Sequence, residues 1–134
     1  MGTWGHRNFE NDAALDFVIE VEDNGVKVIN EILDRVAVLP EENYLEVDDS
    51  VAVLAAIEFV AAAKGKQSED FPEGAEDWLA KTEAGPLVSQ DLARMKKVID
   101  RVRNNSELRD LWQEEGDEPG EWLAVLSDLE DRIS

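Results

Sequence analysis

The chain has 134 residues, 43% of them apolar, which is enough for one domain with a core of its own. It contains no cysteine and a single histidine, which excludes disulfides and thiolate chemistry and argues against a zinc site. Its 32 acidic and 13 basic side chains give a formal net charge of −19, a field that repels nucleic acid and anionic lipid and favours basic partners.

The first ten residues predict an irregular arm. Trp4 lies between two glycines, so we expect its indole to pack onto the body of the protein while the backbone turns around it. His6 lies in the same arm without a positioned partner, which is typical of a surface or interface histidine. Asn11 or Asp12 then has the residue type of a helix N-cap.

Apolar residues recur at helical spacing through most of the remaining chain. They predict helices over 13–22, 26–38, about 50–64, 75–81, from Ser89 to about 103, around 108–112, and a last helix that Asp117 caps and Pro119 opens. Gly85 with Pro86 predicts a break between two of these helices.

The segment at about 50–64 differs from the others because it is apolar on every side. Such a helix is surrounded by protein, and its alanines allow neighbours to approach closely. Asp48, Asp49 or Ser50 has the residue type and position of its N-cap. Just before it, residues 44–47 alternate apolar and polar, which permits a short extended piece but does not establish a sheet.

The predicted fold is all-α. We expect a compact single-domain bundle of six or seven short helices around the central apolar helix, with residues 1–134 in one domain and an irregular arm over 1–10. The longest apolar run, 51–63, is well short of the ~20 residues that cross a bilayer, and the N-terminus lacks the apolar stretch of a secretory signal. We therefore expect a soluble, cytoplasmic protein without membrane binding.

The opening of the chain carries a recognisable pattern: G-T-W-G at 2–5, phenylalanine at 9, Asn-Asp at 11–12 and Asp-Phe at 16–17. It resembles the bacterial family catalogued as domain of unknown function 4259. Y-L-E-V-D at 44–48 before an alanine-rich helix, and S-E-L-R-D-L-W at 106–112, are similar to later segments of that family. The resemblance implies the fold and a bacterial cytoplasmic setting, and it supplies no catalytic residues.

Glu58 is the one charged residue inside the central apolar helix. A buried carboxylate must be paired, hydrogen-bonded or protonated, because an isolated buried charge is costly. One hypothesis makes Glu58 an acid with a raised pKa or a ligand in a cation site. The other makes it structural: it reaches the rim of the helix, or it pairs with an arginine such as Arg35, Arg94 or Arg101.

Acidic residues before the central helix are candidates for a partner-binding surface. These are Glu46, Asp48 and Asp49, which equally have the placement that helix capping favours. Trp4 and Trp78 lie near loops, and tryptophan is enriched in interfaces, although core packing also explains both. We expect these five residues to contribute to any contact with a partner.

The sequence favours a non-enzymatic protein-binding module, of inhibitor or immunity type, that acts on a basic protein through an acidic surface. We predict no catalytic residues, no metal, no cofactor and no direct contact with nucleic acid, and we make no prediction of the oligomeric state. One alternative is a magnesium-dependent, hydrolase-like helical enzyme in which two or more acids converge with Glu58 around a cleft. Another is a housekeeping domain whose acidity is an adaptation to salt, which thermal melts at low and molar salt would test.

Overall fold

The computed structural model describes residues 7–114, 116 and 120–134. Over these residues the secondary structure is helical, without a β-strand, which confirms the all-α prediction. The described part of the chain forms eight helices: α1 (Asp12–Asn24), α2 (Val26–Ala37), α3 (Val47–Ala63), α4 (Glu73–Ala80), α5 (Gly85–Val88), α6 (Leu92–Asn104), α7 (Glu107–Glu114) and α8 (Glu121–Ile133).

Helix α3 lies at the centre of the molecule. It packs against α1, α2, α5, α6, α7 and α8, and its buried residues cover every side. Apolar residues on all faces exclude water from the whole circumference, and the alanines bring neighbouring helices close. The central apolar helix predicted at about 50–64 is therefore confirmed, and it begins a little earlier, at Val47.

The prediction that Asp48, Asp49 or Ser50 caps this helix was wrong. Both aspartates lie in its first turn, where their charge still favours the positive end of the helix. The hydroxyl of Ser50 donates to the carbonyl of Glu46 at 3.0 Å instead of accepting a backbone N–H.

The start of α3 is joined to the start of α7. The N–H of Val47 donates to the Glu107 carboxylate at 2.8 Å, and the N–H of Glu107 donates to the carbonyl of Leu45 at 2.9 Å. Each bond satisfies a backbone group that a helix terminus leaves free. The segment at 44–47 therefore pairs with a helix end and forms no strand.

Helices α1 and α2 form a tight hairpin around Gly25. This residue has φ +86°, a backbone conformation that residues with a Cβ atom rarely adopt. Its N–H donates to the carbonyl of Val21 at 2.8 Å. Asn11 caps α1, as predicted, by accepting the N–H of Ala14 at 2.8 Å. The hairpin places α1 and α2 side by side against α3.

The described part of the chain has eight helices where six or seven were predicted. The additional helix is α5, which forms where Gly85 and Pro86 predicted only a break between two helices. Pro86 lies in the first turn of this one-turn helix, where proline is tolerated. Helix α6 begins at Leu92 rather than near Ser89, and Asp91 caps it. The cap predicted at Asp117 lies outside the described residues.

The described end of the predicted N-terminal arm is held on the core, whereas Trp4 and His6 lie outside the described residues. Asn8 and Phe9 are buried. The Phe9 ring packs edge-on against Phe71 at 5.5 Å, and Phe71 packs against Phe59 of α3 at 5.3 Å. No helix within the described residues combines the length and apolarity needed to cross a bilayer.

Candidate functional site

Glu58 lies on α3 with only 1% of its surface exposed, and it is paired with Arg132. The guanidinium of Arg132 donates through Nη1 to Oε1 at 2.7 Å and through Nη2 to Oε2 at 2.9 Å. Two parallel bonds of this kind are the strongest arrangement of an arginine with a carboxylate. The structural interpretation of Glu58 therefore has direct support.

The predicted arginine partners of Glu58 were wrong. Arg35 pairs with Asp49, Arg94 contacts Asp34, and Arg101 donates to backbone carbonyls. The observed partner, Arg132 in the last turn of α8, was not among the predicted ones. The next residue, Ile133, is a buried residue of α8. An apolar residue at this position was the sequence signal that Arg132 lies near the core.

A third donor completes the environment of Glu58. The side-chain amide of Asn8 donates to Oε2 at 2.7 Å, and Asn8 is itself 5% exposed. Burial of the Arg132 guanidinium opposes its charge, but the hydrogen bonds and negative charges of Glu58 and then Asp128 outweigh that effect, so the pKa of Arg132 is raised above its ordinary value. The pair therefore holds both charges in place as a structural unit.

A groove of about 450 Å³ lies beside this pair, and Glu58, Asp70, Asp128 and Arg132 are among its lining residues. The Asp128 carboxylate accepts from Nε of Arg132 at 2.7 Å. Glu58 and Asp128 thus share one guanidinium, whereas Asp70 accepts the N–H of Phe9 at 3.0 Å. Among the described residues no three acidic or histidine side chains are grouped to hold a metal ion, so the convergence that the magnesium alternative requires is not found there.

A second groove, of about 300 Å³, lies between α1, α2 and the start of α3, and we call it the acidic groove. Five carboxylates and one guanidinium line its described part, a formal charge of −4. The carboxylates are those of Asp16, Glu20, Glu31, Asp48 and Asp49.

The floor of the acidic groove is apolar. Phe17 of α1 together with Val28 and Ile32 of α2 are buried and line it. Carboxylates on an apolar floor suit a cationic side chain, because its hydrocarbon stem packs on the floor while its charged end meets the rim. The Gly25 hairpin creates this arrangement by bringing the acidic faces of α1 and α2 together.

One of the groove carboxylates is already neutralised. Arg35 of α2 donates through Nη2 to Oδ1 of Asp49 at 2.7 Å. Both side chains are largely in solvent, so the pair is a surface ion pair with a small effect on stability. The remaining four carboxylates of the groove are exposed.

The structure brings together only some of the predicted partner-binding residues. Asp48 and Asp49 share the acidic groove, whereas Glu46, the exposed residue directly before α3, is not part of its lining. Trp78 is half-buried, and its ring packs edge-on against Phe59 at 5.6 Å, so it contributes to the packing of the core. Trp4 lies outside the described residues.

Comparison with protein-family models matches residues 2–125 to the family described as Domain of unknown function (DUF4259). The chain belongs to this family. The match includes Glu58 and the whole acidic groove, and Arg132 lies beyond its last residue. Comparisons with curated proteins and with solved structures found no match. The family description states no activity.

Proposed function

We propose that this protein of the DUF4259 family is a non-enzymatic protein-binding module, of inhibitor or immunity type, that holds basic side chains of a partner in the acidic groove. The observation that carries the proposal is the groove itself. Its described lining has a formal charge of −4 over an apolar floor, and four of its carboxylates are exposed. A surface of this kind is complementary to lysine and arginine.

The dimensions of the groove favour a side chain over a small organic ligand. A space of about 300 Å³ is at the lower limit of ligand pockets. It accommodates one or two basic side chains from a partner surface, with their stems on Phe17 and Ile32. Contacts around the groove then supply the remaining interface.

The carboxylates are also arranged differently from a metal site. No three of the described acidic side chains are grouped to coordinate one ion. Carboxylates spread along a rim interact with several cations of one partner, and the net charge of −19 steers such a partner from a distance. We therefore expect fast association that slows as salt is added.

The proposal is tested by capture from the lysate of the host cell with three forms of the tagged protein. The first is the wild type and the second is the groove variant Asp16→Asn/Glu31→Gln/Asp48→Asn. The third is a control with the same change in charge at exposed sites outside the groove, Glu42→Gln/Asp77→Asn/Glu83→Gln. Circular dichroism verifies that all three forms fold.

The expected result is one basic protein that the wild type and the control retain, that the groove variant loses, and that high salt releases. Titration of that purified protein against the three forms then gives the affinities. Equal retention by the groove variant and the control, or no specific capture by the wild type, overturns the proposal.

A further inference from the structure

Another groove of the described molecule differs in character from the acidic groove. It is about 1070 Å³ in volume and lies between α6 and the segment that ends α2, with Val36, Val38 and Leu39 on one wall. Val38 is 78% exposed, the highest value among the exposed large apolar residues. We call it the α2–α6 groove.

Three cations and two carboxylates line this groove, a formal charge of +1. Lys96, Lys97 and Arg101 of α6 line the groove, against Glu41 and Asp100. Asp100 is paired with Arg103, outside the groove lining. Within the part of the chain that the structure describes, no carboxylate lies within ion-pair distance of the three cations.

Arg101 keeps its charge uncompensated because it bonds to neutral groups. Its guanidinium donates to the carbonyls of Leu39 at 3.0 Å, Pro40 at 3.3 Å and Asn105 at 2.9 Å, and to that of Asn43. These bonds also fix the segment after α2 against α6. The groove is therefore formed before any partner binds, which lowers the ordering cost of binding.

We propose that the α2–α6 groove is a docking site for an acidic segment of a partner protein, anchored by an aliphatic or aromatic side chain against Val38 and flanked by carboxylates that meet Lys96 and Lys97. Charge complementarity identifies the occupant. The net charge of −19 repels an acidic partner at long range, so the complementarity is local: three cations without carboxylate partners beside an apolar wall favour a segment that is both acidic and apolar. A nucleic-acid backbone offers phosphates but nothing to cover the exposed valine.

This site is independent of the proposed function, because the two grooves share no lining residue and select opposite charges. A protein with both can hold a basic and an acidic surface at the same time. The groove variant Asp16→Asn/Glu31→Gln/Asp48→Asn should therefore bind at the α2–α6 groove as tightly as the charge-matched control Glu42→Gln/Asp77→Asn/Glu83→Gln does, so failure of one proposal is distinguishable from failure of the other.

The test uses a fluorescein-labelled synthetic peptide with leucines on one helical face and glutamates flanking them. Fluorescence anisotropy measures its affinity for the full chain at physiological salt. We expect Lys96→Glu/Lys97→Glu to weaken binding by about tenfold or more, and Val38→Ser to weaken it without changing the charge. The matched control is Lys27→Glu/Lys81→Glu, which makes the same charge change at exposed lysines outside the groove lining.

Several results would overturn the proposal. Equal loss of affinity in the lysine control would mean that only the overall field matters. Equal binding of a scrambled peptide that lacks the apolar face would reduce the site to a charge patch. Tighter binding of a single-stranded oligonucleotide than of the peptide, or no binding of the peptide by the wild type, would remove the acidic segment as the occupant.

Discussion

Glu58 and the carboxylates of the acidic groove are the same chemical group in opposite surroundings. Glu58 is buried and receives three hydrogen bonds, two from Arg132 and one from Asn8. The groove carboxylates are mostly in solvent, and the one guanidinium in the lining, that of Arg35, pairs with only one of the five. A compensated buried charge is tied to the fold, because the loss of its partner would leave it unpaired, whereas an uncompensated surface charge is available to another protein.

An acidic residue can be unusual in its sequence context, as Glu58 is, or in its spatial arrangement, as the groove carboxylates are. Sequence alone singles out Glu58, because it interrupts an apolar helix, and the structure gives it a structural role. The groove acids are individually ordinary, and their arrangement makes them the better candidates for binding. Four substitutions, from the largest expected effect to the smallest, test whether this division is correct.

The largest effect is expected for Arg132→Met. Removing one partner leaves the Glu58 carboxylate buried without compensation, and this costs about 3–5 kcal/mol of unfolding free energy. Urea denaturation followed by circular dichroism measures the loss. The double variant Glu58→Leu/Arg132→Met should recover most of it, because no buried charge then remains. A loss below about 1 kcal/mol would place this pair among surface ion pairs and remove the contrast.

Asn8→Ala should have the next largest effect. It removes one donor to a charged acceptor, for which about 1.5–3 kcal/mol is typical, while Arg132 still compensates the charge. Thermal or urea denaturation gives the value. Asn43→Ala serves as the control, since Asn43 is exposed and its change should stay within about 0.5 kcal/mol. Equal effects of the two substitutions would show that Asn8 does not support Glu58.

The centre of the fold could be predicted from the sequence, because the apolar run of α3 has one physical solution, which is burial on all sides. The burial of Glu58 follows from the same run. Its partner could not be predicted, since Arg132 is 74 residues away and meets Glu58 only through the way α8 crosses α3. Periodicity describes the faces of a helix and does not encode how two helices cross.

The sequence named only two of the five carboxylates of the acidic groove as candidates and did not predict the groove. Asp48 and Asp49 were identified because they precede an apolar helix. Asp16 and Glu31 were missed, because each is an ordinary solvated residue on its own helix. They line one groove only because the turn at Gly25 sets α1 beside α2.

The third substitution, Arg35→Met, should affect stability and binding in opposite ways. Its ion pair with Asp49 is exposed, so its loss costs only about 0–1 kcal/mol of unfolding free energy. The groove meanwhile becomes more negative and Asp49 becomes available, so affinity for a labelled peptide of alternating arginine and leucine should rise. Anisotropy titration at low salt measures it. A lower affinity would mean that Arg35 itself contacts the partner.

The smallest effect is a gain. Asp16 and Glu20 are four residues apart on α1, and like charges at this spacing destabilise a helix by about 0.2–0.5 kcal/mol. Asp16→Asn should therefore stabilise the protein by a few tenths of a kcal/mol at low salt, and molar salt should abolish the gain. Asp12→Asn on the same helix is the control: it also relieves repulsion of Asp16 four residues away, but it removes a favourable charge from the first turn, so it should stabilise less than Asp16→Asn does. Comparison of urea midpoints at the two salt concentrations resolves the difference. If Asp16→Asn is destabilising, the groove carboxylates support the fold as Glu58 does; a gain larger than that of Asp12→Asn means that Asp16 persists against a stability cost, as a residue kept for binding would.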